Sequence, residues 1–402
     1  MPEYWGCTVG RVSIVKCPDY TYEKVESAIR QCIDLLGGIN KFVQPGQKVL
    51  LKINLLSATA PEKAVTTHPN VTLALARLVQ EAGGQPIVAD SPGPVPYTTA
   101  GLKKAYQAAG YLGPAERGEL ELNWDTAVQA LPCPDGKLIK LFEVIQPVVA
   151  CDVVIAVPKL KTHMFTSLTG ATKILFGVIP GLAKAGYHAK LQSGEQFADM
   201  LLDIIQAVKP TLYLMDGILA MEGDGPGLHG NPRPLGLLMA ADNPVSMDLA
   251  ACSIIGLDPM EVPMLRAAKH RGWWSGGWSD IQVVGVPLSA AAVPDFRKPA
   301  RVARDARGLD RLTWYQRMWA PAAKQALTPR PVPSVGRCTA CATCRNICPQ
   351  QAITIAGGVA LVDDHNCIRC YCCHEVCPEA AIDLKFGPTG RLIRRFGLFG
   401  YR

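Results

Sequence analysis

Residues 153–163, VVIAVPKLKTH, carry the pattern that decides the fold of the larger part of the chain. Five consecutive apolar residues, Val153–Val157, are followed by a proline and then by lysines, a threonine and a histidine. A short apolar run that stops abruptly at polar residues is typical of a strand buried on both faces. This stretch therefore predicts a strand of a largely parallel sheet.

Similar runs recur on both sides of this strand, and segments with helical periodicity separate them. The other apolar runs are Val12–Val15, Val49–Ile53, Pro86–Ala89, Leu212–Met215 and Leu235–Met239. Apolar residues recur three and four apart in three segments: Val25, Ile29, Cys32, Ile33 and Leu36; Val71, Leu75, Leu78 and Val79; Phe197, Met200, Leu201, Ile204, Ile205 and Val208. The alternation predicts an α/β domain with a largely parallel sheet over residues 1–325.

Polar residues follow most of these strands directly. They are Asn54, Asp90, Lys159, Asp216 and Asp242. In sheets of this kind, ligands bind outside the carboxyl ends of the strands, because loops and helix N-termini present polar groups there. We expect all five residues to face one rim of the sheet and to form a site.

Two groups of residues near this rim are candidates for chemistry. Ammonium and imidazole groups at a strand end suit a phosphate or carboxylate, which predicts an anion site at Lys159, Lys161, His163 and Lys173. Carboxylates after another strand suit a hard cation or acid–base chemistry, or else ordinary turns and caps, at Asp216, Glu222 and Asp224. Whether those three bind a metal stays open at this point.

The cysteines are concentrated near the C-terminal end. Of 15 cysteines, nine fall between Cys338 and Cys377. Eight of them form two identical runs of the type C-x2-C-x2-C-x3-C-P, at Cys338, Cys341, Cys344 and Cys348 and, 29 residues later, at Cys367, Cys370, Cys373 and Cys377. The matching segments after each proline complete an internal duplication, and such spacing indicates a metal centre. Cys372 lies outside the pattern.

This block resembles the bacterial two-cluster ferredoxin module over residues 334–386. The resemblance implies a small ferredoxin-like α+β domain with two [4Fe-4S] clusters, each held by three cysteines of one run and the fourth of the other. One cluster then belongs to Cys338, Cys341, Cys344 and Cys377, and the second to Cys367, Cys370, Cys373 and Cys348. A zinc site is the competing interpretation, but a zinc ribbon does not need this doubled run.

The larger part of the chain resembles domain-of-unknown-function family 362. The matching stretches are 52–56 KINLL, 67–69 THP, 90–93 DSPG, 158–163 PKLKTH, 175–181 LFGVIPG, 216–217 DG, 221–226 MEGDGP, 242–244 DNP and Asp248. The resemblance implies a fold and a site, and it leaves the reaction undefined. A proline-rich linker is expected at 326–333 and a basic, partly apolar tail at 387–402.

Charge and composition narrow the functional classes to which the protein could belong. The formal charge of +7 falls to roughly +3 once two clusters of charge about −2 are counted. Bulk charge therefore gives little reason to expect nucleic-acid binding. The first 17 residues lack the continuous apolar core of a secretion signal, and no apolar run reaches the ~18 residues needed to span a bilayer. A cytoplasmic protein is expected.

These features together predict an iron–sulfur electron-transfer protein. In the leading interpretation, the clusters relay single electrons to or from an anionic small molecule bound in the N-terminal domain, as an oxidoreductase would, with a redox partner protein. A second interpretation is a ferredoxin-like carrier whose large domain only docks a partner enzyme. A third is an RNA-binding or RNA-modifying protein, suggested by Arg266, Lys269, Arg271 and nearby tryptophans. A loop with its aromatic rings packed inward is the favoured interpretation of that segment.

Overall fold

Eleven strands organise residues 10–285, nine of them in one sheet. The computed structural model describes residues 10–93, 97–191, 193–299 and 328–387. The strands are β1 Gly10–Lys16, β2 Lys48–Ile53, β3 Gln85–Ala89, β4 Val128–Pro132, β5 Leu141–Ile145, β6 Val153–Val157, β7 Lys159–His163, β8 Ser167–Leu168, β9 Leu212–Gly223, β10 Gly230–Ala241 and β11 Ile281–Gly285. Strands β4 and β5 pair only with each other, as an antiparallel hairpin.

The main sheet is largely parallel, as the sequence predicts. Its order is β11-β1-β10-β9-β6-β2-β3, with β7 beside β9 and β8 beside β7. Strands β9, β6, β2 and β3 run parallel to one another, and β1 is parallel to β11. Strand β10 is antiparallel to both of its neighbours. The reason is local: β10 follows β9 through the short loop 224–229, and a hairpin connection reverses the chain.

Helices cover both faces of the sheet. They are α1 Tyr22–Asp34, α2 Pro69–Glu81, α3 Thr99–Ala108, α4 Leu112–Glu116, α5 Pro147–Ala150, α6 Gly170–Lys173, α7 Ala183–Lys190, α8 Gly194–Val208, α9 Pro244–Ile254, α10 Pro263–His270 and α11 Leu288–Ala291. The apolar stripes of α1 and α2 pack on one face, and those of α8, α9 and α10 pack on the other. Every helix in the described ranges is too short or too polar to span a bilayer.

Strand β2 illustrates why consecutive residues of an inner strand are buried. It lies between β3 and β6, with Leu50 opposite Val154 and Leu51 opposite Ile155. Successive side chains of a strand point to opposite faces. Leu50 therefore enters the core beneath α8, whereas Leu51 enters the core beneath α1 and α2. With both faces covered, every side chain from position 49 onward in this strand is buried.

Residues 328–387 form a smaller α+β unit. Its strands are β12 Arg330–Pro333, β13 Ile353–Ala356, β14 Val359–Val362 and β15 Ile382–Lys385, and its short helices are Thr343–Ile347 and Cys372–Val376. Strand β12 pairs with β15, so part of the stretch expected as a linker belongs to this unit. Of the expected tail, 388–402 lies outside the described residues. Two-stranded pairs β12–β15 and β13–β14 enclose a small core that includes several of the cysteines.

The smaller unit packs on the hairpin loop 224–229 of the larger domain. The ring of His229 stacks on that of His374, with centroids 3.8 Å apart. The backbone at Gly227 passes so close to the backbone of Glu375 that a β-carbon at position 227 would lie 3.3 Å from the carbonyl carbon and closer still to the carbonyl oxygen. A residue without a side chain is therefore required at this contact.

Candidate functional site

The eight patterned cysteines surround two separate cavities. One cavity, of about 320 Å³, is lined by Cys338, Cys341, Cys344 and Cys377. The other, of about 340 Å³, is lined by Cys348, Cys367, Cys370 and Cys373. Each cavity therefore takes three thiols from one run and the fourth from the other. No three His, Cys, Asp or Glu side chains in the described ranges stand at the spacing that a single metal ion requires; the four thiols of each cavity instead surround a space.

The backbone around the two cavities repeats with the 29-residue period of the sequence. Left-handed φ angles occur at three pairs of non-glycine residues, namely Ala340 and Arg369, Ala342 and Tyr371, and Gln351 and Ala380. Such angles are uncommon outside glycine, and they persist where the surroundings impose them. The first two pairs lie within the C-x2-C-x2-C loops around the cavities, and the third follows the proline of each run. The loop conformation is therefore part of the duplicated design.

Backbone amides also donate to the cysteine sulfurs. The amide of Ala352 lies 3.3 Å from Sγ of Cys348, and the amide of Ala381 lies 3.2 Å from Sγ of Cys377. These two contacts are again related by the repeat. Amide hydrogen bonds to sulfur stabilise thiolate ligands and tune the potential of an iron–sulfur centre. The donor set and these amides fit a four-iron cluster at each cavity.

Two buried lysine–aspartate pairs occupy the rim of the main sheet. Lys159 Nζ lies 2.8 Å from Oδ2 of Asp216 and 2.7 Å from the hydroxyl of Tyr20, with both charged groups fully buried. Lys52 Nζ lies 3.0 Å from Oδ1 of Asp90. Each of these buried ammonium groups has a carboxylate partner, because burying an unpaired charge costs much free energy. Lys159 is thus engaged in an internal pair.

Four of the five strand-end residues meet at this rim, and the expectation for the fifth is wrong. Asn54 accepts a hydrogen bond from the amide of Lys159, which ties two neighbouring strand ends together. Asp242 lies at the opposite edge, because β10 is antiparallel and its last residue, Ala241, pairs with Tyr213 near the start of β9. Its carboxylate pairs with Lys41 on the surface.

The three carboxylates considered as a cation or acid–base group have separate partners. Asp216 is occupied by Lys159, as described above. Glu222 accepts from the amide of Arg297 at 3.0 Å and lies 3.4 Å from its guanidinium. Asp224 lies in loop 224–229, beside His374 of the smaller unit.

A cleft of about 710 Å³, including its mouth, opens between the rim and the smaller unit. On the domain side, the lining includes Lys161, Thr169, Lys173 and Lys184. Lys161 is 2% exposed, and its Nζ donates to the carbonyl of Val65 at 2.8 Å. Of the predicted anion-binding residues, Lys161 and Lys173 therefore line the cleft.

The opposite wall of the cleft comes from the smaller unit. Ile347, Cys372, Glu375 and Val376 line it. Ile347 precedes Cys348, Cys372 precedes Cys373, and Val376 precedes Cys377. Each apolar wall residue is therefore next in sequence to a cysteine of one of the two cavities. Cys372, which lies outside the cysteine pattern, belongs to the cleft.

His163 joins the two units behind the cleft. Its Nδ1 accepts from the amide of Phe165 at 3.0 Å, and its Nε2 lies 3.5 Å from Oε1 of Glu375. Burial is the main cause that lowers the pKa of His163 well below its ordinary value. The ring is therefore neutral at physiological pH, and it contributes a hydrogen-bond donor rather than a positive charge.

Two residues that line the cleft were not predicted from the sequence. Lys184 reaches it from α7, where its Nζ donates to the carbonyls of Ser91 and Ile179 at 2.8 and 2.6 Å. Glu375 comes from between two cysteines. Neither follows a strand of the main sheet, so no strand-end pattern marks them. The turn at Gly181, whose amide donates to Oγ of Ser91 at 2.6 Å, helps to bring α7 to the rim.

The basic and aromatic segment after α9 is largely internal. Trp273 and Trp274 are buried, whereas Trp278 is half exposed. The guanidinium of Arg271 lies 2.9 Å from Asp199 and 2.8 Å from Asp203. These contacts attach the end of α10 to α8.

Residues 49–253 match the family described as Domain of unknown function (DUF362), and the chain belongs to that family. It is 35% identical over 277 residues to a thylakoid-associated protein of Synechocystis, an alignment that covers 66% of this chain and 80% of that protein.

Two solved structures show weaker likeness. The lactate racemase apoprotein of Thermoanaerobacterium thermosaccharolyticum aligns with a TM-score of 0.37 and 12% identity, over 63% of this chain and 58% of that one. A Thermotoga maritima protein aligns with a TM-score of 0.34 and 13% identity, over 65% and 61%. The chain thus spans less than two thirds of each.

Proposed function

We propose that this protein is an iron–sulfur electron-transfer protein that carries two [4Fe-4S] clusters in residues 334–386. The observation that carries the proposal is the crosswise gathering of eight cysteines, four around each cavity. When bound, such clusters supply one-electron transfer at potentials set by ligands, hydrogen bonds and exposure. The amides that donate to Cys348 and Cys377 are contributions of this kind.

We further propose that the electrons pass between the clusters and an anionic small molecule in the cleft. The cleft has a basic wall with Lys161, Lys173 and Lys184, and an apolar wall one residue away from the cavity cysteines. The lysines would hold and orient the molecule, and the apolar wall would keep water from the transfer path. A redox partner protein and a cytoplasmic location stay predictions.

Anaerobic reconstitution tests the cluster assignment. We expect about eight irons and eight acid-labile sulfides per chain, since two complete cysteine sets are present. Cys370→Ser should lose about half of the iron, because it removes one ligand of one cavity only. A protein that takes up zinc and no sulfide would refute the assignment.

Reoxidation kinetics test the electron-transfer step. The isolated, reduced protein should be reoxidised faster when an anionic acceptor that fits the cleft is added. Lys173→Met should slow that reaction and leave reoxidation by a small neutral dye unchanged. A protein that is reoxidised only when a second protein is supplied would instead be a carrier.

A further inference from the structure

Three ammonium groups line the cleft without a carboxylate partner of their own in the described residues. Lys161 and Lys184 donate only to backbone carbonyls there. Lys173 lies over the ring of Phe176, with its Nζ 5.5 Å from the ring centroid. Each ammonium has three protons to donate, so donors remain for a ligand in every case. The cleft therefore brings together positively charged hydrogen-bond donors that remain available to a ligand.

A neutral donor in the same wall also lacks a partner. Thr169 is only 4% exposed, and its buried hydroxyl makes no hydrogen bond within the described residues. Thr169 lines the cleft together with Lys161 and Lys173. A buried hydroxyl without a partner costs free energy unless a ligand or water satisfies it. This second, independent observation indicates that the wall is built to receive oxygen atoms.

The charges facing the cleft define the ligand. Asp90 is already neutralised by Lys52 at 3.0 Å. Among the described residues of the lining, the three lysines therefore face one other carboxylate, that of Glu375 on the opposite wall. When all three lysines are protonated, the surplus is two positive charges. A ligand of low charge would leave part of this surplus unbalanced in a partly desolvated space.

We propose that the cleft binds a small molecule with two negative charges, whose oxygens accept hydrogen bonds from Lys161, Lys173, Lys184 and the hydroxyl of Thr169. The inference deepens the proposed function by naming the class of its small molecule, and it rests on that function for the molecule's redox role. Binding itself requires no electron transfer.

Binding of this molecule should be accompanied by protonation of buried lysines. Burial, followed by repulsion from Lys173, lowers the pKa of Lys161 to about 7. Burial is also the main cause that lowers the pKa of Lys184 to about 7. The charged groups that face these two ammoniums are Lys52, Lys159, Lys173, Asp90 and Glu375. At pH 7 each of the two is about half protonated, and an anion stabilises the charged form. Affinity should fall as pH rises above about 7.

Calorimetry on the oxidised, cluster-loaded protein tests the inference. Succinate and sulfate serve as probes because both remain dianions across pH 6.5–8, and succinamide serves as the neutral match. Tighter binding of succinate indicates a dicarboxylate ligand, and tighter binding of sulfate indicates a tetrahedral oxyanion. Titrations in buffers of different ionisation enthalpy should give an uptake of about one proton at pH 7.

Variants on one helix provide the control. Lys184→Met should weaken dianion binding about tenfold and reduce the proton uptake by about half. Lys190→Met, the same change at an exposed position of α7, should behave as the unmodified protein. Thr169→Val keeps the side-chain shape, and it should weaken binding about two- to tenfold.

Equal binding of succinate, sulfate and succinamide would overturn the inference. The proposed function fails separately. Full iron and sulfide content with no dianion binding would refute the inference alone. Dianion binding by a chain that takes up zinc and no sulfide would refute the cluster assignment alone.

Discussion

Replacing Gly227 by alanine should loosen the contact between the two units while leaving each of them folded. A β-carbon there would lie 3.3 Å from the carbonyl carbon of Glu375 and closer to the oxygen, whereas ordinary contact begins at 3.4 Å. The two backbones must separate by on the order of 1 Å, and overpacking of this kind costs about 1–3 kcal/mol. The undocked population should therefore rise roughly 5- to 150-fold.

Hydrogen exchange measures this effect directly. The amides of α7 and of the short helix Cys372–Val376 face the cleft, so their exchange should accelerate by the same factor in Gly227→Ala. Iron content should not change, because the cysteine cavities lie within the smaller unit. Gly336→Ala is the matched control, since a β-carbon there meets no atom within 4 Å. Identical exchange in Gly227→Ala and the unmodified protein would refute the docking described here.

Three further predictions concern single side chains. Cys372→Ser should keep nearly full iron, whereas Cys341→Ser should lose about half, and equal iron loss would show that the ligand sets are misassigned. Asp216→Asn should lower the free energy of unfolding by about 3–5 kcal/mol, because it leaves the ammonium of Lys159 buried without its carboxylate; a loss below 1 kcal/mol in urea unfolding would contradict the pairing. Burial is the main cause that lowers the pKa of His68 to about 4. Below about pH 6.5 the imidazole is protonated in the unfolded chain, whereas in the folded chain it stays neutral down to about pH 4. The free energy of unfolding should therefore fall by up to about 3 kcal/mol as the pH is lowered from about 6.5 to about 4. His68→Asn keeps a capping side chain and should remove this pH dependence; an unchanged slope would contradict the assignment.

The inner strands of the sheet could be predicted from sequence because they are buried on both faces. Runs such as Val153–Val157 are apolar throughout, and polar residues mark where they stop. Parallel order then places Asn54, Asp90 and Lys159 at one rim. The antiparallel turn after β9 was not predicted, because periodicity identifies a strand without giving its direction. Asp242 was misplaced for this reason.

The site was predicted in part. The pattern of lysines after β6 identified Lys161 and Lys173, which line the cleft, but it could not separate them from Lys159, whose charge is matched by Asp216 across 57 residues of sequence. Lys184 and Glu375 reach the cleft only through tertiary contacts. The assignment of the eight cysteines to two ligand sets, in contrast, follows entirely from their spacing and from the resemblance to ferredoxins.

Native mass spectrometry of the anaerobically reconstituted chain tests the central claim most directly. The claim is that two four-iron clusters occupy the cysteine cavities. The account predicts one dominant species, heavier than the bare chain by two Fe4S4 cores, and a Cys370→Ser chain heavier by one core. A chain that carries zinc ions instead, or one that holds a single core in the unmodified protein, would contradict it.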